Sequence, residues 1–227
     1  MPDGGRLAYD VAGPANAPAI LLIRPLGGWR ASWGEFAAAL ARVLRVIAFD
    51  PRGAGDSSAA RLATTRAMAR DARALLAALS IPRAHVYGIS LGGMVACWLA
   101  LDAPGAVDRL VLASTPASGL AFRRDALHAV RLARCFTRRS GEAVEACLAT
   151  RTLSVAFRDR ERARLRALRA CAAERPSSRE ALAIGLAAAL LHDVRARARS
   201  IEADTLVLAG IRDALLEPDE QLALARM

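Results

Sequence analysis

Residues 85–94 read HVYGISLGGM, and no other stretch restricts the fold of the chain so tightly. His85–Tyr87 has the pattern of a strand reaching its end. From Leu91 the run LGGMVACWLAL is apolar at nearly every position over more than two helical turns, as in a helix buried on most sides. The backbone must therefore reverse sharply between the two. Gly88, Ser90 and Gly92 hold the fixed places of a Gly-x-Ser-x-Gly turn, in which glycine lets strand and helix approach closer than a β-carbon permits. The serine is left at the apex with its hydroxyl at the start of a helix, which suits a nucleophile. In an Ala/Gly-rich chain such a motif also arises by chance, so its weight depends on context.

The context is an alternation of strand and helix patterns. RLAYDVAG (6–13), AILLIR (19–24), LRVIAFD (44–50), AHVYG (84–88), RLVLAST (109–115) and DTLVLAG (204–210) read as strands. WGEFAAALAR (33–42), with Ser32 as its N-cap, and TTRAMARDARALLAALS (64–80) read as helices, as does the segment from Glu217, with Pro218 in its first turn. This order predicts an α/β fold with a mostly parallel, doubly wound sheet. Between about 120 and 200 only helical patterns occur, including one over 158–170, so an all-helical lid is expected there. The expected division is 1–119, core; 120–199, lid; 200–227, second part of the core.

Composition removes several classes of function. No run reaches the ~18 apolar residues of a membrane span, and the start, MPDGGRLAYD, lacks a secretory pattern. Cys97, Cys135, Cys147 and Cys171 form no metal-ligand spacing and are expected as reduced thiols in a cytoplasmic protein. The formal charge is +10, with no lysine present. Residues 120–200 hold 18 Arg against 8 acidic residues, while the remainder holds 14 of each, so the whole surplus sits in the expected lid. Interleaved with Ala and Leu and with few aromatic residues nearby, these arginines read as a solvated helical face, not a nucleic-acid surface. A lobe so charged would attract an anionic small-molecule substrate.

The ordered motifs resemble the α/β-hydrolase family, in its lid-bearing branch of esterases, lactonases, C–C bond hydrolases and haloperoxidase-like enzymes. The elbow is Gly88-Ile89-Ser90-Leu91-Gly92. Arg24-Pro25-Leu26-Gly27-Gly28 stands where the family has His-Gly-x-Gly, which would make Leu26 and Leu91 the oxyanion-hole N–H donors. The motif assigns Arg24 no role beyond the plain one of anchoring that loop by a salt bridge. Asp50-Pro51-Arg52-Gly53-Ala54-Gly55-Asp56-Ser57 matches the family's D-x-R-G-x-G-x-S turn, with Arg52 and Ser57 tying the loop down. Asp213, after the last strand pattern, takes the place of the acid that orients a histidine; Asp219 has no such alignment. The resemblance implies hydrolysis of a carboxylic ester or related acyl compound through an acyl-serine, with no metal or organic cofactor. A serine at the elbow sets the chain apart from the aspartate-using dehalogenase and epoxide hydrolase branches.

The pattern breaks at histidine. His85, His128 and His192 all precede Asp213, whereas the family's base follows it. Two expectations result: the chain is a piece of a longer hydrolase, or it is a non-catalytic relative that binds ligand. Trp29, beside the oxyanion loop, is a candidate pocket residue, and Phe122, Phe136, Phe157 and Trp98 are either pocket or core.

Overall fold

Wholly apolar runs become the inner strands of the sheet, because only a strand covered on both faces can bury every side chain. In the computed structural model, which describes residues 1, 3–58, 63–123, 130, 134, 135, 137, 143, 147, 150, 153–174, 178–213 and 215–227, the strands are β1 (Tyr9–Ala12), β2 (Ala19–Ile23), β3 (Arg45–Phe49), β4 (Ala84–Ile89), β5 (Val107–Ala113) and β6 (Asp204–Leu208). They form one six-stranded sheet in the order β1-β3-β2-β4-β5-β6. All pairings are parallel except that of β1 with β3, so the expected mostly parallel α/β sheet is present.

Helices cover both faces. On one side α1 (Gly34–Leu40) and Trp33 pack over Ile20, Leu22, Val46 and Ala48. On the other, α2 (Thr65–Ala78) and α3 (Leu91–Asp102) bury Met68, Leu76, Met94 and Leu99 against Leu21, Ile23, Ile47 and Leu110. Thr64 caps α2 by accepting from Ala67 N at 3.1 Å. The expected Ser32 cap of α1 is not formed. Its hydroxyl bonds Trp29 O at 2.6 Å inside a 3-10 turn, and the N-cap position falls to Trp33.

Among the described residues between β5 and β6 the regular elements are helical, including α4 (Val155–Arg160), α5 (Arg162–Glu174) and α6 (Arg179–Leu190). The single helix expected over 158–170 is broken at Glu161. A last helix, α7 (Pro218–Ala225), follows β6 with Pro218 in its first turn, as expected. The expectation of four reduced thiols is corrected: Cys135 and Cys147 form a disulfide, their Cα atoms 5.4 Å apart, well within the reach of such a bond. Cys97 and Cys171 are free, and full burial pushes the Cys97 thiol up to about 12. Strand β6 is one edge of the sheet; its Leu206 and Leu208, and Ile211 just after it, are exposed. Among the described residues no helix is long and apolar enough to cross a membrane.

The loop after β3 is fastened as its motif implies. Arg52 pairs through two nitrogens with the buried Asp71 of α2 and reaches Asp3 at 3.0 Å. Ser57 Oγ donates to Asp50 O at 2.6 Å and accepts from Ala8 N at 2.9 Å. Removing one member of a buried pair leaves the other charge uncompensated. Asp71→Ala should therefore lower unfolding free energy in urea by about 3 kcal/mol, with Arg52→Met/Asp71→Leu recovering part of the loss.

Candidate active site

The elbow is built by backbone contact. A β-carbon on Gly92 would overlap Ile23 O, and one on Gly88 would stand 2.5 Å from Gly92 O. The first turn of α3 thus sits directly on the carboxyl ends of β2 and β4. To connect β4 to a helix placed so close, Ser90 adopts φ +53° and ψ −117°, a conformation non-glycine residues rarely hold. It is fixed by Ser90 N donating to Ala113 O at 2.9 Å and Ser90 O accepting from Met94 N at 3.0 Å. The side chain makes no helix-capping bond. Among the described residues Ser90 Oγ has no hydrogen-bond partner, and the residue is half-buried.

Beside it lies the turn Pro25–Gly28, closed by Gly28 N donating to Pro25 O at 3.0 Å. Gly27 has φ +79°, the conformation this turn needs at its third position. Among the described residues neither Leu26 N nor Leu91 N donates a backbone hydrogen bond. Two main-chain donors are thus unclaimed, one at the tip of a turn and one at a helix N-terminus. Such donors are suited to an oxygen that gains negative charge. The Arg24 guanidinium carbon lies 4.8 Å from the Trp33 ring centroid, and Nη1 donates to Ser32 O at 3.3 Å. Trp29 is buried and donates Nε1–H to Cys171 O of α5 at 3.1 Å, tying the loop to the inserted helices.

Asp213 lies in the turn after β6, its N donating to Gly210 O at 3.0 Å. Oδ1 accepts from Leu215 N at 2.9 Å and Leu216 N at 3.1 Å, and Oδ2 from Gln221 Nε2 at 3.0 Å. Since β5 separates β4 from β6, the carboxyl ends of the strands that lead to Ser90 and to Asp213 lie about 10 Å apart across the sheet. No hydrogen bond joins the two residues. Asp219 sits exposed in the first turn of α7. Gln221, which the sequence reading passed over, is fully buried and also donates to Leu216 O at 2.8 Å. Only its spacing on α7 could have drawn notice.

No described histidine serves this site. His85 is the second residue of β4, near the opposite end of the strand from Ser90, with Nδ1 3.2 Å from Asp108 Oδ2. His192 is buried beside Trp98, with Nδ1 3.0 Å from Thr65 Oγ1. Burial lowers its pKa to about 4. His128 and Phe136 lie outside the described residues, as does the side chain of Phe122. Phe157 is half-buried on α4, and Trp98 packs on the main core with the Arg66 guanidinium 4.9 Å from its ring centroid.

Comparison with known proteins bears on this arrangement. The family described as the alpha/beta hydrolase fold matches residues 18–139, more than half of the chain. The chain belongs to that family. A hydrolase of Pseudomonas aeruginosa PA01 has a similar structure, with TM-score 0.85 and 34% identity, covering 100% of this chain and 84% of that one. The enol-lactonase of Burkholderia xenovorans LB400 gives TM-score 0.84 and 27% identity, over 99% and 85%. A candidate carbamate hydrolase, RutD, of Variovorax paradoxus S110 is 43% identical over 136 residues, 59% of this chain. This hydrolase-fold chain spans about half the length of that curated relative, 48%.

Two outcomes test the site's construction. Gly92→Ala puts a β-carbon on strand backbone that no side-chain rotation relieves, and should cost about 3 kcal/mol in urea unfolding. His192 has its folded pKa depressed from 6.5 to about 4, so below pH 6.5 the unfolded chain binds the proton more readily. Stability is then full near pH 7 and lost as pH falls toward 4, by about 2 kcal/mol at pH 5. His192→Asn should flatten that pH dependence.

Proposed function

We propose that this chain carries the nucleophile of a serine hydrolase acting on carboxylic esters, lactones or related acyl compounds. The observation that carries the reading is Ser90, held at φ +53° with an unengaged hydroxyl beside the unclaimed N–H groups of Leu26 and Leu91. In this reading Ser90 Oγ attacks the acyl carbon while Leu26 and Leu91 donate to its oxygen, and an acyl-serine forms as the alcohol departs. Asp213 orients the imidazole that takes the serine proton. Without that base, turnover falls by about 10⁴- to 10⁶-fold. The core is 1–119 with 200–227, the helical lid 120–199, and the compartment the cytoplasm, where the Cys135–Cys147 bond would be open to thiol exchange.

The arginine surplus of the lid favours a carboxylate-bearing substrate. The name of the enol-lactonase relative supports an intramolecular ester as one such acyl compound. A second reading, a ligand-binding relative that does not turn over, is favoured by the lack of an imidazole at Ser90 among the described residues.

Chemical rescue separates the two. With a fluorophosphonate probe, added imidazole should raise the labelling rate by about 10²-fold, and Ser90→Ala should abolish the signal. A chain that binds short acyl ligands yet stays unlabelled with imidazole present is the non-catalytic relative. If the lid steers anions, labelling by a carboxylate-bearing probe should slow as salt rises while a neutral probe is unaffected; equal salt response for both would remove the anionic part of the reading.

A further inference from the structure

Helix α6 presses on the side chains of both Leu26 and Leu91. A β-carbon at Gly185 would overlap Leu26 Cδ1 and stand 3.4 Å from Leu91 Cδ2. One turn earlier on the same helix face, Leu182 Cδ2 lies 3.4 Å from where a Gly27 β-carbon would be. Both helix residues are buried. The far end of α6 is fixed to the core. Gly119 N donates to His192 O at 2.7 Å and Val194 N to Ala117 O at 2.9 Å, while His192 Nδ1 lies 3.0 Å from Thr65 Oγ1. A β-carbon at Gly119 would overlap Ala189 O.

The loop needs such support at one point. Beyond Gly28 it is held by polar bonds, Arg30 N to Asp50 Oδ1 at 2.6 Å and Trp29 Nε1 to Cys171 O. Leu26 lies inside the turn that Gly28 N closes on Pro25 O but itself donates no backbone hydrogen bond, so its side-chain packing adds to what that turn fixes. We propose that α6 is a strut for the oxyanion loop: Leu182 and Gly185 are positioning residues that set where the Leu26 N–H stands relative to that of Leu91. The role given to those two N–H groups rests on the acyl-serine reading; the mechanical coupling does not. A small residue is required at 185 because the Leu26 branch fills the space a larger side chain would occupy. Alanine is absorbed by rotating Leu26, whereas a β-branched residue must move the loop or the helix.

The test reads the loop and the chemistry separately. Amide exchange of Gly28 and Arg30, whose N–H groups bond Pro25 O and Asp50 Oδ1, reports the loop. Gly185→Val should speed both by about tenfold, with α2 amides unchanged, and Gly185→Val/Leu26→Ala should restore them because the space is vacated. Leu182→Ala, which removes a contact without overlap, should speed them too and carries the test if the valine variant does not fold. Imidazole-assisted labelling of Ser90 should fall by about 10²-fold in Gly185→Val and recover in the double variant, with probe affinity little changed. Loop exchange unmoved by both Gly185→Val and Leu182→Ala, or a valine effect that persists in the double variant, overturns the strut. Exchange that responds while Ser90 never labels leaves the strut standing and removes the acyl-serine reading.

Discussion

Backbone resting on backbone, where α3 meets β2 and β4, is the constraint from which the rest of the site follows. Two glycines make it possible: Gly92 lies against Ile23 O, and Gly88 against the helix's first turn. With helix and strand that close, one residue must carry the whole change of direction, and it is Ser90. Its positive φ costs on the order of 1–3 kcal/mol. Burial of Met94, Val95, Ala96, Cys97 and Leu99 on the same helix supplies far more than that. The strain is thus a by-product of how deeply α3 is embedded. It also explains why the serine hydroxyl is free, since a helix entered through such a turn does not receive its N-terminal serine as a cap.

Much of this was legible because the signals are short-range. The apolar runs gave six strands to within a few residues, and the GxSxG spacing located the reversal. The D-x-R-G-x-G-x-S motif pointed to a fastened loop, although not to its partner, Asp71, which lies on a helix fourteen positions past Ser57. What escaped was what only packing decides. Ser32 has a cap residue's chemistry, yet it lies inside the 3-10 turn and its hydroxyl bonds Trp29 O instead. Cys135 and Cys147 carry no spacing signature, yet the fold sets their Cα atoms 5.4 Å apart. Gly185, Leu182 and Gln221 look like ordinary helix residues in the sequence. Their significance lies in which loop they touch, and a one-dimensional pattern does not hold that information.

Charge shows the same division. The arginine excess is visible by counting, but counting does not separate arginines that meet solvent from those that build. Arg30 and Arg52, outside the surplus segment, are mostly buried and each engages more than one carboxylate. Arg66 and Arg197 share Asp102 and flank Trp98. In this chain arginine serves as a mortar between elements as much as a source of field.

Asp50 has the widest reach of these fastenings. Fully buried, its carboxylate receives Arg30 N from the loop after β2, Asp56 N at 3.1 Å from the loop after β3, and the Arg30 guanidinium. Gly55 is glycine because this carboxylate occupies the place of its side chain. Neither loop can then be lengthened, shortened or rerouted by itself, since each such change would strand a buried negative charge. Heritable variation at this rim has to arrive as matched pairs of changes, so descendants of such a chain would diversify in the segments that do not share this knot.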